Sequence, residues 1–233
     1  MYIGLISDTH GVFDDRFKEF LEPVDQIWHA GDFGGGMDLA AKIAEFKPLV
    51  GVAGNCDNHS LRFEHPLHRF FECEGMKVLM THVGGYPGRY DPRARKLIDH
   101  YRPDIFVCGH SHILKVVRDP GRNDMLVINP GAAGIQGFHN VRTALRFRIE
   151  NGNITDMEFV TNIARRYKLP VITDGSQTAG AADINLETLG VQVYCFSGHR
   201  KLMGPYGIGG LIIKDGVQLD EKLLSGIGPV SPE

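Results

Sequence analysis

Thiols are scarce in this chain. Four cysteines occur among 233 residues, Cys56, Cys73, Cys108 and Cys195. No two are spaced as C-x-x-C, and each lies within or beside an apolar run. That pattern excludes a thiolate-closed zinc site and reads as reduced thiols rather than a disulfide framework. Long apolar stretches are also missing: none approaches the roughly 20 residues a membrane helix needs. The chain has no basic run and a formal net charge of -3, which argues against a dedicated nucleic-acid surface. It opens at once on a strand pattern, without a charged leader and with Asp8 close to the start, so a cytoplasmic protein with no membrane partner is expected. The oligomeric state is not legible, and association remains open.

What the chain does have is enough apolar content, 42%, to bury a proper core in one or two domains. It also has oxygen and nitrogen ligands in five separate islands: Asp8-Thr9-His10, Gly31-Asp32, Gly54-Asn55-Cys56-Asp57, Thr81-His82 and Gly109-His110-Ser111-His112. Each follows a short apolar run, as Tyr2-Ile3-Gly4-Leu5-Ile6 precedes Ser7-Asp8 and Ile105-Phe106-Val107-Cys108 precedes Gly109-His110. Such runs, ending in Gly or a polar residue, are the signature of buried strands. Ligands just past the ends of several strands converge at the carboxyl edge of a sheet, where loops hold chemistry on a rigid frame. Carboxylates, an amide carbonyl and imidazoles are hard to borderline donors. They suit Mn²⁺ first, with Fe, Zn²⁺, Co²⁺ or Ni²⁺ as alternatives.

Each island alone is ordinary turn or cap chemistry. Together and in this order, D-x-H, GD, GN-x-D, H and GHSH resemble the calcineurin-like metallophosphoesterases, in particular their small bacterial and archaeal phosphodiesterase branch, over residues 1 to about 160. The resemblance implies that Asp8, His10 and His112 hold one metal and that Asn55, His82 and His110 hold the other, with Asp32 bridging both. It implies hydrolysis of a small phosphodiester by attack of a metal-bridging hydroxide, with Asp32, Asn55 and His82 at the catalytic centre. In many larger relatives His follows the GN pair; here it is Cys56, so help from a general acid is in question and good leaving groups are expected. The alternative on the same fold is a non-catalytic metal-binding scaffold. His29, His59, His65, His68, His100 and His139 fall outside the motif set and read as surface or supporting residues.

The stretch Val83 to Pro92 holds three glycines and two prolines, and reads as an ordered loop walling the site. From it Arg89 is expected to grip a phosphate oxygen, with Tyr86 or Tyr90 stacking on a ring. Helical spacing covers Asp14 to Leu21, Met37 to Phe46 and Arg93 to Tyr101. Beyond His112, four successive strands are expected over Ile113 to Arg118, Met125 to Asn129, Thr143 to Glu150 and Ile154 to Val160. Alternation followed by this meander suggests two sheets face to face with helices outside. The resemblance implies the same α/β class, a four-layer αββα sandwich.

A boundary is expected near Val160, giving domains 1–160 and 161–233, with a helix-like start at Thr161 to Tyr167. The later segment resembles part of the class V aminotransferase and cysteine desulfurase family, through Asp174-Gly175-Ser176-Gln177, Ser197-Gly198-His199 and the glycines near 204–210. That resemblance implies contacts to pyridoxal phosphate (PLP) from Asp174, Gln177, Ser197 and His199, with the imine on the residue after the histidine. That residue is Arg200, and the lysine, Lys201, comes one place late. An arginine stays protonated and forms no imine. The lysine is either displaced by one place, with Lys201 in its role, or functionally absent; the segment is expected to be a truncated fragment, with a PLP-dependent desulfurase-like activity as the lesser alternative.

Overall fold

The computed structural model describes residues 1–137, 142–161, 172–176, 179–180 and 192–217. In chain order, β1 (Tyr2–Ile6), α1 (Asp15–Leu21), β2 (Gln26–His29), α2 (Gly36–Phe46), β3 (Leu49–Gly51) and α3 (His59–Glu64) lead into β4 (His68–Cys73) and β5 (Met76–Thr81). A two-stranded hairpin, β6 (Gly85–Tyr86) and β7 (Arg89–Tyr90), precedes α4 (Pro92–Tyr101), β8 (Ile105–Val107), β9 (Leu114–Asp119) and β10 (Met125–Pro130). Then come β11 (Thr143–Glu150), β12 (Asn153–Thr161), β13 (Ile172–Asp174), β14 (Val193–Ser197) and β15 (Gly209–Ile213).

Two five-stranded sheets carry the architecture, in the orders β12-β11-β1-β2-β3 and β4-β5-β8-β10-β9. In the first, β1, β2 and β3 run parallel; in the second, β5, β8 and β10 do. Side chains alternate between faces, so a strand apolar throughout feeds two cores at once. Ile3, Leu5 and Trp28 of the first sheet meet Val78, Met80, Val107 and Ile128 of the second in the central core. Tyr2, Ile6 and Ile27 point the other way, onto Phe17, Leu21, Leu39 and Ile43 of α1 and α2. On the far side, Leu79, Phe106 and Val127 lie under Ala94 and Ile98 of α4. Three cores between four layers make the αββα sandwich.

The helices start where capping chemistry permits. Asp14 accepts from the Phe17 amide at the head of α1. Asp91 accepts from the amides of Arg93 and Ala94 at the head of α4, with Pro92 in the first turn.

Several expectations are corrected. The four strands after His112 do not form one meander: β9 and β10 pair antiparallel in the second sheet, whereas β11 and β12 pair in the first. The Val83 to Pro92 loop contains the β6–β7 hairpin, closed by Pro87 and by Gly88 at φ 84°. Helix α3 and strand β4 carry too weak a pattern to be expected. The first is one and a half turns long, and the second is an edge strand, half-buried along most of its length. Apart from Thr161, which ends β12, the helix-like stretch lies outside the described residues.

Candidate metal centre

The five islands gather at the carboxyl ends of the parallel strands, where the two sheets meet. Asp8 and His10 follow β1, Asp32 follows β2, Asn55 follows β3, His82 follows β5, and His110 and His112 follow β8. Reaching a common point from so many directions strains the backbone. Asp8 (φ 52°), His10 (44°), Asp32 (56°), His110 (66°) and His112 (57°) are all left-handed. Non-glycine residues rarely adopt that conformation unless the surroundings impose it, and it concentrates at functional sites. Glycine is required where the loops touch. A Cβ on Gly54 would lie 2.0 Å from Asp32 Oδ1, and one on Gly109 would lie 2.0 Å from Ser7 Oγ.

Three groups of ligand atoms come together: Asp8 with His10 and His112, Asp8 with Asp32 and His82, and His10 with Asp32 and Cys56. Asp8 Oδ1 lies 3.1 Å from His112 Nε2, 3.9 Å from His82 Nε2 and 4.0 Å from His10 Nε2. His82 Nε2 is 3.3 Å from Asp32 Oδ2. Both Asp8 and Asp32 take part in two of the groups, so the sharing expected of Asp32 alone falls on two carboxylates. Asn55 and His110 stay at the margin. The His110 ring centroid is 5.2 Å from that of the buried His82, and Asn55 and His110 are both exposed.

The orientation of His82 shows what the centre can hold. Its Nδ1 is 2.8 Å from the Ala30 carbonyl oxygen. A carbonyl only accepts, so Nδ1 carries a proton and Nε2 is turned inward. There Nε2 faces two carboxylates, and both it and Asp8 Oδ1 are buried without a hydrogen-bond partner. Orphaned buried polar atoms are costly, and lone pairs converging on one point need a cation between them. The other nitrogen held by a backbone carbonyl is also how a metal-binding imidazole is fixed. Burial opposes charge on His82, yet Asp32 and Asp8 prevail and raise its pKa above the ordinary imidazole value. Burial likewise works against ionisation of Asp32, but His82 and the Cys56 amide hold its carboxyl far below the usual range. The donor set therefore fits divalent metal.

Residues 1–152 match the family model of the calcineurin-like phosphoesterase superfamily domain, well over half of the chain. This chain belongs to the calcineurin-like phosphoesterases. Its fold is similar to that of Vps29 from Chaetomium thermophilum, with a TM-score of 0.54 at 15% identity over 69% of this chain and 94% of that one. Zinc-complexed Vps29 from Entamoeba histolytica gives 0.52 at 18% identity, over 69% and 99%. A phosphoesterase predicted in Streptococcus pneumoniae gives 0.51 at 21%, over 69% and 88%.

Around the centre of this phosphoesterase lie supports, of which the motifs revealed Asp57 but not Asn129. Asn129, at the end of β10, donates from Nδ2 to the Gly109 carbonyl at 2.7 Å and to Ser111 Oγ at 3.0 Å, while its Oδ1 accepts from the Gly131 amide. It clamps the GHSH loop. Asp57 accepts from the amides of Gly34 and Gly54, tying two ligand loops together. The signal for Asn129 was a polar residue closing the apolar run Met125 to Ile128 just before Pro130-Gly131. His29 is fully buried. Its Nδ1 accepts from the Gly31 amide at 3.1 Å, so its Nε2–H donates to Thr9 Oγ1 at 2.9 Å, and that hydroxyl donates to the Phe33 carbonyl.

A cleft of about 520 Å³ opens beside the centre and includes Gly54, Asn55 and His82. Arg89 is exposed on the hairpin and is not among its lining residues; Arg62, Arg93 and Lys96 are. Tyr86 carries Lys115 Nζ 3.6 Å above its ring, and the Tyr90 hydroxyl donates to Asp119.

Residues 146–228 match the class V aminotransferase family model. A cysteine desulfurase IscS from Ruthia magnifica is 32% identical over 96 residues, 41% of this chain but 24% of that one. The IscS of Plasmodium falciparum is 40% identical over 65 residues, 12% of its length. The chain thus spans a minor part of these relatives. Here β13, β14 and β15 form a separate sheet in which β13 and β14 run parallel. Asp174 ends β13, and Ser197 Oγ lies 3.0 Å from His199 Nδ1, while Gln177 falls outside the described residues. Arg200 occupies the imine position and Lys201 is exposed.

Proposed function

We infer that this chain is a metal-dependent phosphodiesterase acting on a small phosphodiester. Asp8, His10 and His112 would hold one divalent cation, and Asp32 and His82, with Asn55 and His110 at the margin, a second; Mn²⁺ leads the candidates. When bound, such cations lower the pKa of water and neutralise charge on phosphoryl oxygens during in-line displacement. The observation that carries this reading is the convergence of buried ligand atoms: Asp8 Oδ1 and His82 Nε2 lie 3.9 Å apart, with His112 Nε2 3.1 Å from the first and Asp32 Oδ2 3.3 Å from the second. Ala30 fixes the His82 ring, and the Cys56 amide fixes Asp32 through a 2.8 Å hydrogen bond to Oδ1, so both hold their donors before substrate arrives.

Proton delivery is the weak part of the machinery. Burial and then the Asp32 carboxylate push the Cys56 thiol up to about 11, which makes it a poor general acid near neutrality. Substrates with good leaving groups follow. The test is hydrolysis of bis(p-nitrophenyl) phosphate with added Mn²⁺. Loss of even an outer partner of a metal ligand costs roughly 10–100-fold, so Asp32→Ala should cost at least that in kcat/KM. A pure, Mn²⁺-loaded protein inert toward the diester would overturn the reading and leave a non-catalytic scaffold of the same fold. Zinc or manganese content then decides whether that scaffold binds metal.

A further inference from the structure

The cleft beside the metal centre has a character of its own. Arg62, Arg93 and Lys96 supply three cations to its lining, and Leu67, Val83 and Leu97 supply apolar surface. The Arg62 guanidinium donates to the backbone carbonyls of Asn55 at 3.1 Å and Gly54 at 3.4 Å, neutral partners that fix it without cancelling its charge. Among the described residues, no ion pair engages Arg62, Arg93 or Lys96. The acidic group in the lining, Asp91, is turned to its own helix, where it caps the amides of Arg93 and Ala94. A chain of net charge -3 thus presents a recess lined by three cations and one carboxylate, a net basic lining that also includes His82 and Asn55.

We propose that this cleft binds a second phosphate, carried on one half of the phosphodiester substrate, so that the preferred substrate is a phosphodiester bearing a further terminal phosphate next to a ring or other apolar body. The proposal rests on the phosphodiesterase reading for its reaction and on the cleft for its selectivity. One phosphate at the metal centre needs none of these cations. Arginines match phosphate oxygens with paired donors, a lysine adds a point charge, and the leucines and valine between them suit the body that joins the two phosphates.

The experiment compares thymidylyl-thymidine with its 5′-phosphorylated form, by turnover with Mn²⁺ and by calorimetric binding to the full chain. Charge-assisted hydrogen bonds of this kind correspond to a preference of roughly tenfold or more for the phosphorylated dinucleotide. In the Arg93→Gln/Lys96→Gln double variant, both exposed positions, that ratio should collapse toward one; Arg62→Gln should reduce it separately. Equal binding of the two dinucleotides, or a preference that survives the double variant, overturns the proposal. Tighter binding of the phosphorylated form with no turnover of any diester supports the cleft and sinks the phosphodiesterase reading instead.

Discussion

Thr9 shows how much of the metal centre is made by residues that never face it. Between two residues that do, its hydroxyl accepts from His29 and donates to the Phe33 carbonyl, and His29 in turn receives the Gly31 amide next to Asp32. Burial pushes the His29 pKa well below the ordinary imidazole value, with the neighbouring His65 and His82 adding to the effect, so the ring stays neutral and keeps one donor and one acceptor. Thr9→Val preserves shape but strands the buried His29 N–H, while the Phe33 carbonyl keeps the Gly11 amide at 2.7 Å. It should destabilise the fold by about 1–3 kcal/mol in chemical denaturation. Metal affinity should also fall, because Gly31 and Asp32 lose their backing. A variant as stable as the parent would show that water or a rearranged Phe33 carbonyl replaces the hydroxyl.

At the scale of elements, the loop after β8 depends on a strand that contributes no ligand. Asn129 on β10 makes three contacts to hold it. Asn129→Ala should lower metal affinity roughly 10–100-fold, as removal of an outer support does, measured by Mn²⁺ titration; unchanged affinity would mean that the left-handed turns at His110 and His112 hold themselves. A second tie joins α1 to the entrance of β11. Arg142 donates to the Ala133 carbonyl and to Asp14 Oδ2 at 2.6 Å. Burial disfavours the Asp14 carboxylate, but the bond and charge of Arg142 outweigh it and depress the pKa below 3.8. A depressed pKa gives stability above the ordinary carboxylate value that is lost as pH falls through the folded one. Asp14→Asn should therefore be less stable near neutrality, by under about 1 kcal/mol for so exposed a pair, and should lose less on acidification below about pH 4. An identical acid limb in both proteins would exclude the pair.

The same elements explain what the sequence could and could not reveal. Asp8, Asp32, His82 and His112 were legible because each ends an apolar strand, and strand ends in parallel sheets converge. Asn55 and His110 were equally legible as motif letters, yet their side chains stand at the margin. Letters fix where the backbone passes and leave the torsion of an exposed side chain open. Arg89 lies exposed on the β6–β7 hairpin and outside the cleft's lining, since a Gly-Pro-rich stretch announces turns without fixing where an exposed side chain goes. The cations that line the cleft come from α3, too short to show a period, and from α4, whose spacing marks the face that packs rather than the one that lines a cleft. Strands β9 to β12 were found, but their division between two sheets was not, since local alternation is the same whichever sheet a hairpin joins.

For the whole molecule, the question is where the folding unit ends. All three cores draw on residues from Tyr2 to Ile149, with Ile154 and Met157 packed against them, and none takes a side chain from the described residues beyond Thr161. The second segment supplies a three-stranded sheet whose last strand leaves Leu211, Ile212 and Ile213 at least 40% exposed. A sheet of that size with an apolar face open to water adds little stability by itself, and the desulfurase relatives supply several times as much chain around it. Stability and metal binding should then reside in residues 1–161. A chain ending at Thr161 should keep diester turnover and unfold at the temperature of the full protein. Both should gain equally from Mn²⁺, by about 2.7 kcal/mol at a hundred times Kd. If the shortened chain loses the metal-induced shift in Tm or precipitates while the full chain does not, the later segment is part of the phosphoesterase fold, and the exposed strand β15 must be read as a surface that the sandwich needs.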